Sequence, residues 1–264
     1  MEPVARFYRH AHLSFKALFG WLSPKVFLMV MVINPLCQLL FFAMLAKYAF
    51  NGSNLAGYVV SNALLLCVLN AVFGMMTVIT SDRQMGTLQL VVASPANKIA
   101  VFFARSLFHM FSGLFTAALG LAFGTLIFGL SFSGEQLIWL GLVWAVSIFA
   151  ACGLGFVISS FALWSSSMHI WTNLLAGLLL LFSGASFPRS LMPAWMHRLS
   201  EFFPLTRGVE VTKSLVTPGD ISHTYLLSRI AEEFLLGSVF YLAGILLFFY
   251  AEYLARVKGS MEME

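Results

Sequence analysis

Charge is what this chain has least of. Asp, Glu, Lys and Arg make up 10% of its 264 residues while 60% are hydrophobic, and the mean hydropathy is +0.89. A water-soluble domain of this size could not cover itself with so few charges, so the chain is read as an integral membrane protein. No charged residue occurs from Val26 to Ala46, from Tyr48 to Ser81, from Ser106 to Gly134, from Gln136 to Pro188, or from Phe234 to Ala251. Ion-coupled transporters need such groups inside the bilayer, at about 2.5–3.5 kcal/mol each on insertion scales, so their absence argues against a proton antiporter. Cys37, Cys67 and Cys152 have no paired spacing, which argues against a disulfide framework or a zinc site. His109 and His169 stand without a carboxylate or Cys at ligand spacing, so no metal site is expected and both read as structural or interfacial. The sequence has no Gly-x-x-x-x-Gly-Lys-Ser/Thr cradle and cannot by that means bind ATP itself. The first 24 residues do not read as a signal peptide, because Arg6, Arg9, His10, His12 and Lys16 interrupt any apolar core.

What is present is membrane-length apolar sequence. About 20 apolar residues cross the hydrocarbon core as a helix, whose backbone groups bond one another where water cannot reach. The run from 136 to 188 exceeds one crossing, and Trp164-Ser165-Ser166-Ser167-Met168-His169 offers its only polar break. Six spans are therefore expected, at about 26–46, 56–80, 107–130, 137–163, 169–187 and 234–254. The cluster Arg6, Arg9, Lys16 and Lys25 places the amino terminus in the cytoplasm, and six crossings return the carboxyl terminus there. Arg189, Arg198, Arg207 and Lys213 count against this orientation. The net charge of +4 suits juxtamembrane contact with anionic headgroups and gives no sign of a nucleic-acid groove.

Two amphipathic regions flank the spans. Over 1–24, Val4, Phe7, Tyr8, Ala11, Phe15, Leu18, Phe19 and Leu22 recur at helical spacing away from Arg6, Arg9 and Lys16, as in a helix lying on the membrane surface. Between spans five and six, in a segment over 188–228, Leu191, Met192, Trp195, Met196, Leu199, Phe202 and Phe203 form a stripe opposed by His197, Arg198, Ser200 and Glu201. Pro204 stops that helix and can open a second one through Arg207, Val209, Val211 and Leu215, ending before Pro218-Gly219-Asp220. So many large apolar groups suit a re-entrant or capping element better than a soluble loop. Gly120 with Gly124, and Ala151, Gly155 and Ser159, are spaced for close helix packing without identifying an oligomeric interface.

A charged island follows the second span. Asp82 and Arg83 mark the membrane exit, Gly86 permits a tight bend, and Leu88, Leu90, Val91 and Val92 offer apolar surface before Pro95. A short helix parallel to the membrane and a plain cytoplasmic loop both fit this composition. The sequence Asp82-Arg83-Gln84-Met85-Gly86-Thr87-Leu88-Gln89 with Pro95 resembles the cytoplasmic segment of type-2 ATP-binding-cassette (ABC) exporter permeases. A second block resembles their outer segment: Phe182-Ser183-Gly184, Phe187-Pro188, Leu191-x-Pro193-x-Trp195 and Phe203-Pro204-Leu205-Thr206-Arg207. Gln84 and Gln89 stand where that family commonly has Glu.

The resemblance implies an all-α integral membrane protein with six transmembrane helices, an amino-terminal interfacial helix, a cytoplasmic coupling helix at 82–96 and outer amphipathic helices. Residues 1–24 would form the interfacial helix and 25–264 the transmembrane domain. Asp82, Arg83, Gln84, Met85, Gly86, Thr87 and Leu88 would dock on a separate ABC ATPase, present in two copies and carrying the ATP and Mg, while this chain binds no cofactor. Pro188, Pro193, Trp195, Pro204 and Arg207 would shape the outer segment. A second permease chain, identical or related, would complete the pathway in a bacterial plasma membrane. The family's pathway surface comes largely from spans one, two and five, which makes Asn34, Gln38, Phe41, Asn70, Phe73, Thr77, Thr172 and Asn173 candidate pathway residues, with Leu180 an apolar neighbour. Intramembrane Asn and Thr also bond to neighbouring helices, and that reading stands beside the pathway role. Drugs, peptides, lipids and lipid-linked glycans are all compatible cargo.

An intramembrane enzyme is the competing class, followed by a channel or scaffold. Glu232-Glu233 resembles the start of a prenyl-type protease motif, but Gly237 stands where Arg is required. Gly184-Ala185-Ser186 is followed by Phe187 where a rhomboid-like protease has Gly. No catalytic residue is assigned.

Overall fold

The structure is a computed structural model and describes residues 24–49, 54–86, 98–161, 168–217 and 222–258. The interfacial helix expected over 1–24 lies outside the described residues but for Pro24, and Thr87, Leu88, Gln89, Pro95, the 164–167 break and Pro218-Gly219-Asp220 lie wholly outside them. Among the described residues every long element is helical. They are α1 (Pro24–Leu28), a π-helical turn (Met29–Ile33), α2 (Asn34–Ala49), α3 (Leu55–Gln84), α4 (Lys98–Phe128), α5 (Gly134–Ser160), α6 (Met168–Phe182), a 3-10 turn (Arg189–Leu191), α7 (Ala194–Ser200), α8 (Thr206–Val216) and α9 (His223–Lys258).

The expectation of six transmembrane helices is corrected by this geometry. Among the described residues four helices are long and apolar enough to cross a membrane: Leu55–Asp82, His109–Phe128, Gly134–Ser160 and His223–Ala251. The first predicted span is broken by a wider turn, in which the Asn34 N–H bonds the Met29 carbonyl. Pro35 gives the reason, since its ring crowds the carbonyl four residues back and it supplies no N–H of its own, which disrupts a regular α ladder. The regular α2 that follows has 16 residues. The fifth predicted span is realised as a 15-residue helix, about 22 Å long at 1.5 Å per residue against a core of about 30 Å. The last helix extends the other way, beginning at His223, well before the residue 234 expected from the charge-free run.

α3 is the axis of the bundle. It packs against α2, α4, α5, α6 and α8, and its apolar stretch is mostly buried while those of α4 (His109–Phe128) and α9 (His223–Ala251) are mostly exposed. Small residues set its seam with the antiparallel α4: a Cβ on Gly120 would sit 2.6 Å from Ala63 Cβ, and one on Gly113 would sit 2.7 Å from the Cys67 carbonyl oxygen. Gly155 likewise brings α5 against Val72. Of the small residues singled out in the sequence, Gly120, Gly124 and Gly155 meet neighbouring side chains within the chain, and Ala151 and Ser159 are buried on α5. α5 and α9 run parallel, from the Glu135–His223 contact at 3.8 Å to the Ser160 hydroxyl donating to the Gly244 carbonyl at 3.2 Å. Ser133 caps α5 in a reciprocal capping box with Gln136, the Ser-x-x-Gln arrangement that satisfies two orphan N–H groups.

One end of the bundle gathers the connections. Gln136 donates to the Leu215 carbonyl at 2.8 Å, Trp144 to the Thr212 hydroxyl at 3.3 Å, and Asn62 to the Ala185 carbonyl at 3.2 Å. The segment 183–217 is therefore folded onto the amino-terminal ends of α3 and α5. The charged island begins at the opposite end, where α3 ends at Gln84 and Gly86 follows with φ +68°, a backbone region open to glycine at no steric cost.

Candidate functional site

The segment between α6 and α9 carries the densest chemistry of the described residues. Its apolar stripe divides on folding. Met192 and Met196 turn inward onto Phe182, with Phe203 stacked on Phe182 at 4.7 Å, whereas Leu191, Trp195, Leu199 and Phe202 stay exposed. Pro193 precedes α7 and Pro188 the 3-10 turn. Pro204 is buried, but the second helix starts at Thr206, after Leu205 adopts a left-handed conformation with φ +79°. That cost, about 1–2 kcal/mol for a non-glycine residue, is offset by two contacts. The Leu205 side chain is fully buried, and its N–H donates to the Glu233 carboxylate. The Thr206 hydroxyl donates to the Ser200 carbonyl at 2.8 Å, which ties α7 to α8.

Around this turn three arginines and three glutamates alternate. Arg189 is held by Glu201, by Glu210 at 3.3 Å and by the Ser200 hydroxyl at 3.0 Å. Arg207 donates to Glu232 at 3.0 Å and to the Glu201 carbonyl at 2.9 Å. Arg229 bridges Glu232 at 3.0 Å and Glu210 at 3.4 Å, and the Tyr225 hydroxyl donates to Glu210 at 2.6 Å. The network joins α7, α8, α9 and the 3-10 turn at shared carboxylates. Burial pushes the Glu201 carboxyl up, but the Arg189 hydrogen bond and the charges of Arg189, Arg207 and Arg229 outweigh it and leave it below the ordinary carboxylate range. Lys213 is the exception to this pairing. Its ammonium donates to the Gly184 carbonyl at 2.6 Å and lies 4.2 Å from the centre of the Tyr58 ring, and burial pushes its pKa down to about 8.

Of the residues proposed from sequence, Arg207 and Pro204 sit in this network and its turn, while Trp195 points outward. The candidate pathway residues do not gather into one site. Asn34 accepts from Gln38 at 3.2 Å on the exposed side of α2, with Phe41 also exposed. Asn173 is exposed on α6 and Thr172 is half-buried beside it. Phe73 and Thr77 are half-buried on α3, the Thr77 hydroxyl donating to the Gly74 carbonyl at 2.9 Å. Asn70 instead points at α4 and donates to the Thr116 hydroxyl at 3.0 Å. Asn70→Leu is therefore expected to lower the unfolding midpoint by the equivalent of about 0.6 kcal/mol, typical of an interhelical hydrogen bond in a membrane. Unchanged stability with altered cargo preference would return Asn70 to the pathway.

Asp82 is buried at the end of α3, and Met85 and Gly86 are exposed beyond it. His109 is buried directly over Gly74, where an added Cβ would fall 1.9 Å from its ring, and His169 is exposed. Among the described residues no group of three or more His, Cys, Asp or Glu is arranged to hold a metal ion. The Ser186 hydroxyl donates to the Asn62 side-chain oxygen at 2.9 Å, and Glu232 and Glu233 are engaged by different partners, Glu232 by Arg207 and Arg229 and Glu233 by the Leu205 N–H. Sequence reasoning missed Glu201, Glu210, Arg229 and Asn62 as organising residues. The near balance of Arg and Glu between 189 and 233 was the available signal.

No curated protein sequence matches the chain. Residues 17–216 match the family described as ABC-2 type transporter. That match runs from before α1 through α3, the charged island and the capped segment to the end of α8, and with it this all-helical membrane chain belongs to the ABC-2 type transporter family.

Proposed function

We propose that this chain is the membrane permease subunit of an ATP-driven exporter, moving an amphiphilic or hydrophobic substrate such as a drug, peptide, lipid or lipid-linked glycan out of the cytoplasm. Family membership over residues 17–216 is the observation that carries this reading. A separate ABC ATPase, in two copies, binds the ATP and Mg, and a second permease chain, identical or related, completes the complex. The chain itself acts as a transport subunit without a catalytic site. In this reading it is a multi-pass protein of a bacterial plasma membrane with both termini cytoplasmic. The pairing of Arg189 and Arg207 with glutamates supports the orientation, since these cations are neutralised where they sit.

The coupling residues are Asp82, Arg83, Gln84, Met85, Gly86, Thr87 and Leu88. Asp82, Arg83 and Gln84 end α3, with Met85 and Gly86 following, and that position supports the assignment on mechanical grounds. A rigid helix of 30 residues that touches α2, α4, α5, α6 and α8 delivers a push at its end to the whole bundle. ATP-driven closure of the two ATPase subunits would move the island, and α3 would carry that displacement to the capped segment at the other end. Candidate pathway groups on the exposed side of α2 and on α6 would face the second permease chain.

Thr87→Arg tests the proposal. Co-purified with its ATPase in lipid nanodiscs, the wild-type chain should stimulate ATP hydrolysis, and the variant should insert normally yet lose at least tenfold of that stimulation. Undiminished stimulation and export by the variant would remove the coupling assignment.

A further inference from the structure

Beside the ion-pair network, at the end of the bundle that gathers the connections, lies an open cleft of about 400 Å³. That volume falls within the range of about 300–1,000 Å³ typical of small-molecule sites. Asn54, Tyr58, Arg189, His197, Glu210 and Lys213 line it. The charges do not cancel. Glu210 is the only carboxylate among the lining residues, and it is already engaged by Arg189, Arg229 and Tyr225. Lys213 has a carbonyl and an aromatic face as partners, and among the described residues no carboxylate lies within ion-pair distance of its ammonium. A half-buried ammonium held by one carbonyl and a ring face is only partly compensated, because desolvation disfavours its charge and neither partner carries a full negative charge. Two of its three N–H donors remain for a ligand.

We propose that this cleft binds a phosphate ester through Lys213, with His197 and the Asn54 amide as further donors. A tetrahedral oxyanion can accept hydrogen bonds from several directions at once, which suits donors contributed by α8, α7 and the turn before α3. Arg189 lines the cleft with its charge already met by Glu201 and Glu210, which leaves Lys213 as the lining cation free of a carboxylate among the described residues. The phosphate can come from a lipid headgroup or from a soluble phosphate. The inference concerns binding alone and does not depend on the ATPase partner.

The full chain is reconstituted in phosphatidylcholine nanodiscs, with and without phosphatidylglycerol, and retained lipid is counted by native mass spectrometry. A parallel arm adds inorganic phosphate to the phosphatidylcholine sample and follows the unfolding midpoint. Saturable retention of phosphatidylglycerol that Lys213→Met weakens at least tenfold, that His197→Gln weakens severalfold, and that Lys213→Arg largely keeps supports a headgroup site. Arg198→Gln removes the same charge from an exposed position outside the cleft and should leave retention unchanged. A midpoint raised by inorganic phosphate, and not in Lys213→Met, assigns the cleft to a soluble phosphate. Should Lys213→Met fail to fold, His197→Gln carries the comparison. The proposal is overturned if the wild type responds to neither ligand, or if the cleft variants behave as Arg198→Gln does.

Discussion

Replacing Gly237 by valine should separate α5 from α9 and lower the stability of the purified chain by about 3 kcal/mol, the upper end for overpacking a tight interface. A Cβ at this position would stand 2.6 Å from Ala150 Cα and 2.9 Å from Ala150 Cβ. The nearest atom is backbone, so no side-chain rotation can relieve the collision. The partner helix is equally close from its side, since a Cβ on Gly153 would meet the Gly237 carbonyl oxygen at 2.9 Å. Small residues at such positions let helix backbones approach, and dispersion contacts between the helices carry the stability when lipid replaces water around them. Gly141→Val is the matched control. It lies on the same α5 with nothing within 4 Å of its added Cβ, and valine has slightly better helix propensity than glycine, so its effect should be near zero. Thermal unfolding in detergent checks both, and equal midpoints for the two variants would remove the seam from the account of stability.

Arg189→Met should have a comparable effect on the capped segment, for an electrostatic reason. Arg189 joins Glu201 to Glu210 and donates to Ser200, and its removal leaves Glu201 with Arg207 at 3.5 Å and Glu210 with Arg229 at 3.4 Å, each short of its closest cation. Breaking a buried pair costs about 3–5 kcal/mol, and the low end applies here because both glutamates keep some access to water. Lysine at 189 should recover part of the loss, since it restores the charge without the planar fork that reaches several acceptors at once. Hydrogen exchange over residues 189–217 would localise the damage, and an unaltered exchange pattern there would show the network to be dispensable. Acidification should mimic the variant. The Glu201 carboxyl titrates below its unfolded value, so the unfolded chain binds the proton first, and the stabilisation is present above the ordinary carboxylate range and lost as pH falls through the lowered folded value.

Much of this chain was legible before folding was considered. The charge-free runs announce a membrane protein, and the Leu191–Phe203 periodicity announces the amphipathic elements between α6 and α9. Gly86 marks the end of α3 because a left-handed residue is needed where the helix stops. Span counting failed at two places that hydropathy does not register. Pro35 disrupts an apolar run through backbone geometry and leaves its composition unchanged. The run stays free of charge up to Pro188, yet helix α6 ends at Phe182 and the chain turns at Ser183-Gly184 to meet Asn62.

The sequence by itself determined the solvent this protein lives in, because burying so many apolar groups with so few charges has no aqueous solution, and it determined the family through short motifs at topologically matched places. Only the tertiary structure decided which helices are long enough to cross, which small residues face which seam, and how the cations are spent. Arg189 meets Glu201 and Glu210, Arg207 meets Glu232, and Lys213 meets no carboxylate among the described residues. Those outcomes depend on distances between groups far apart along the chain. Composition counts charges and local periodicity assigns faces, but whether an ammonium finds a counter-ion is settled when α7, α8 and α9 pack together.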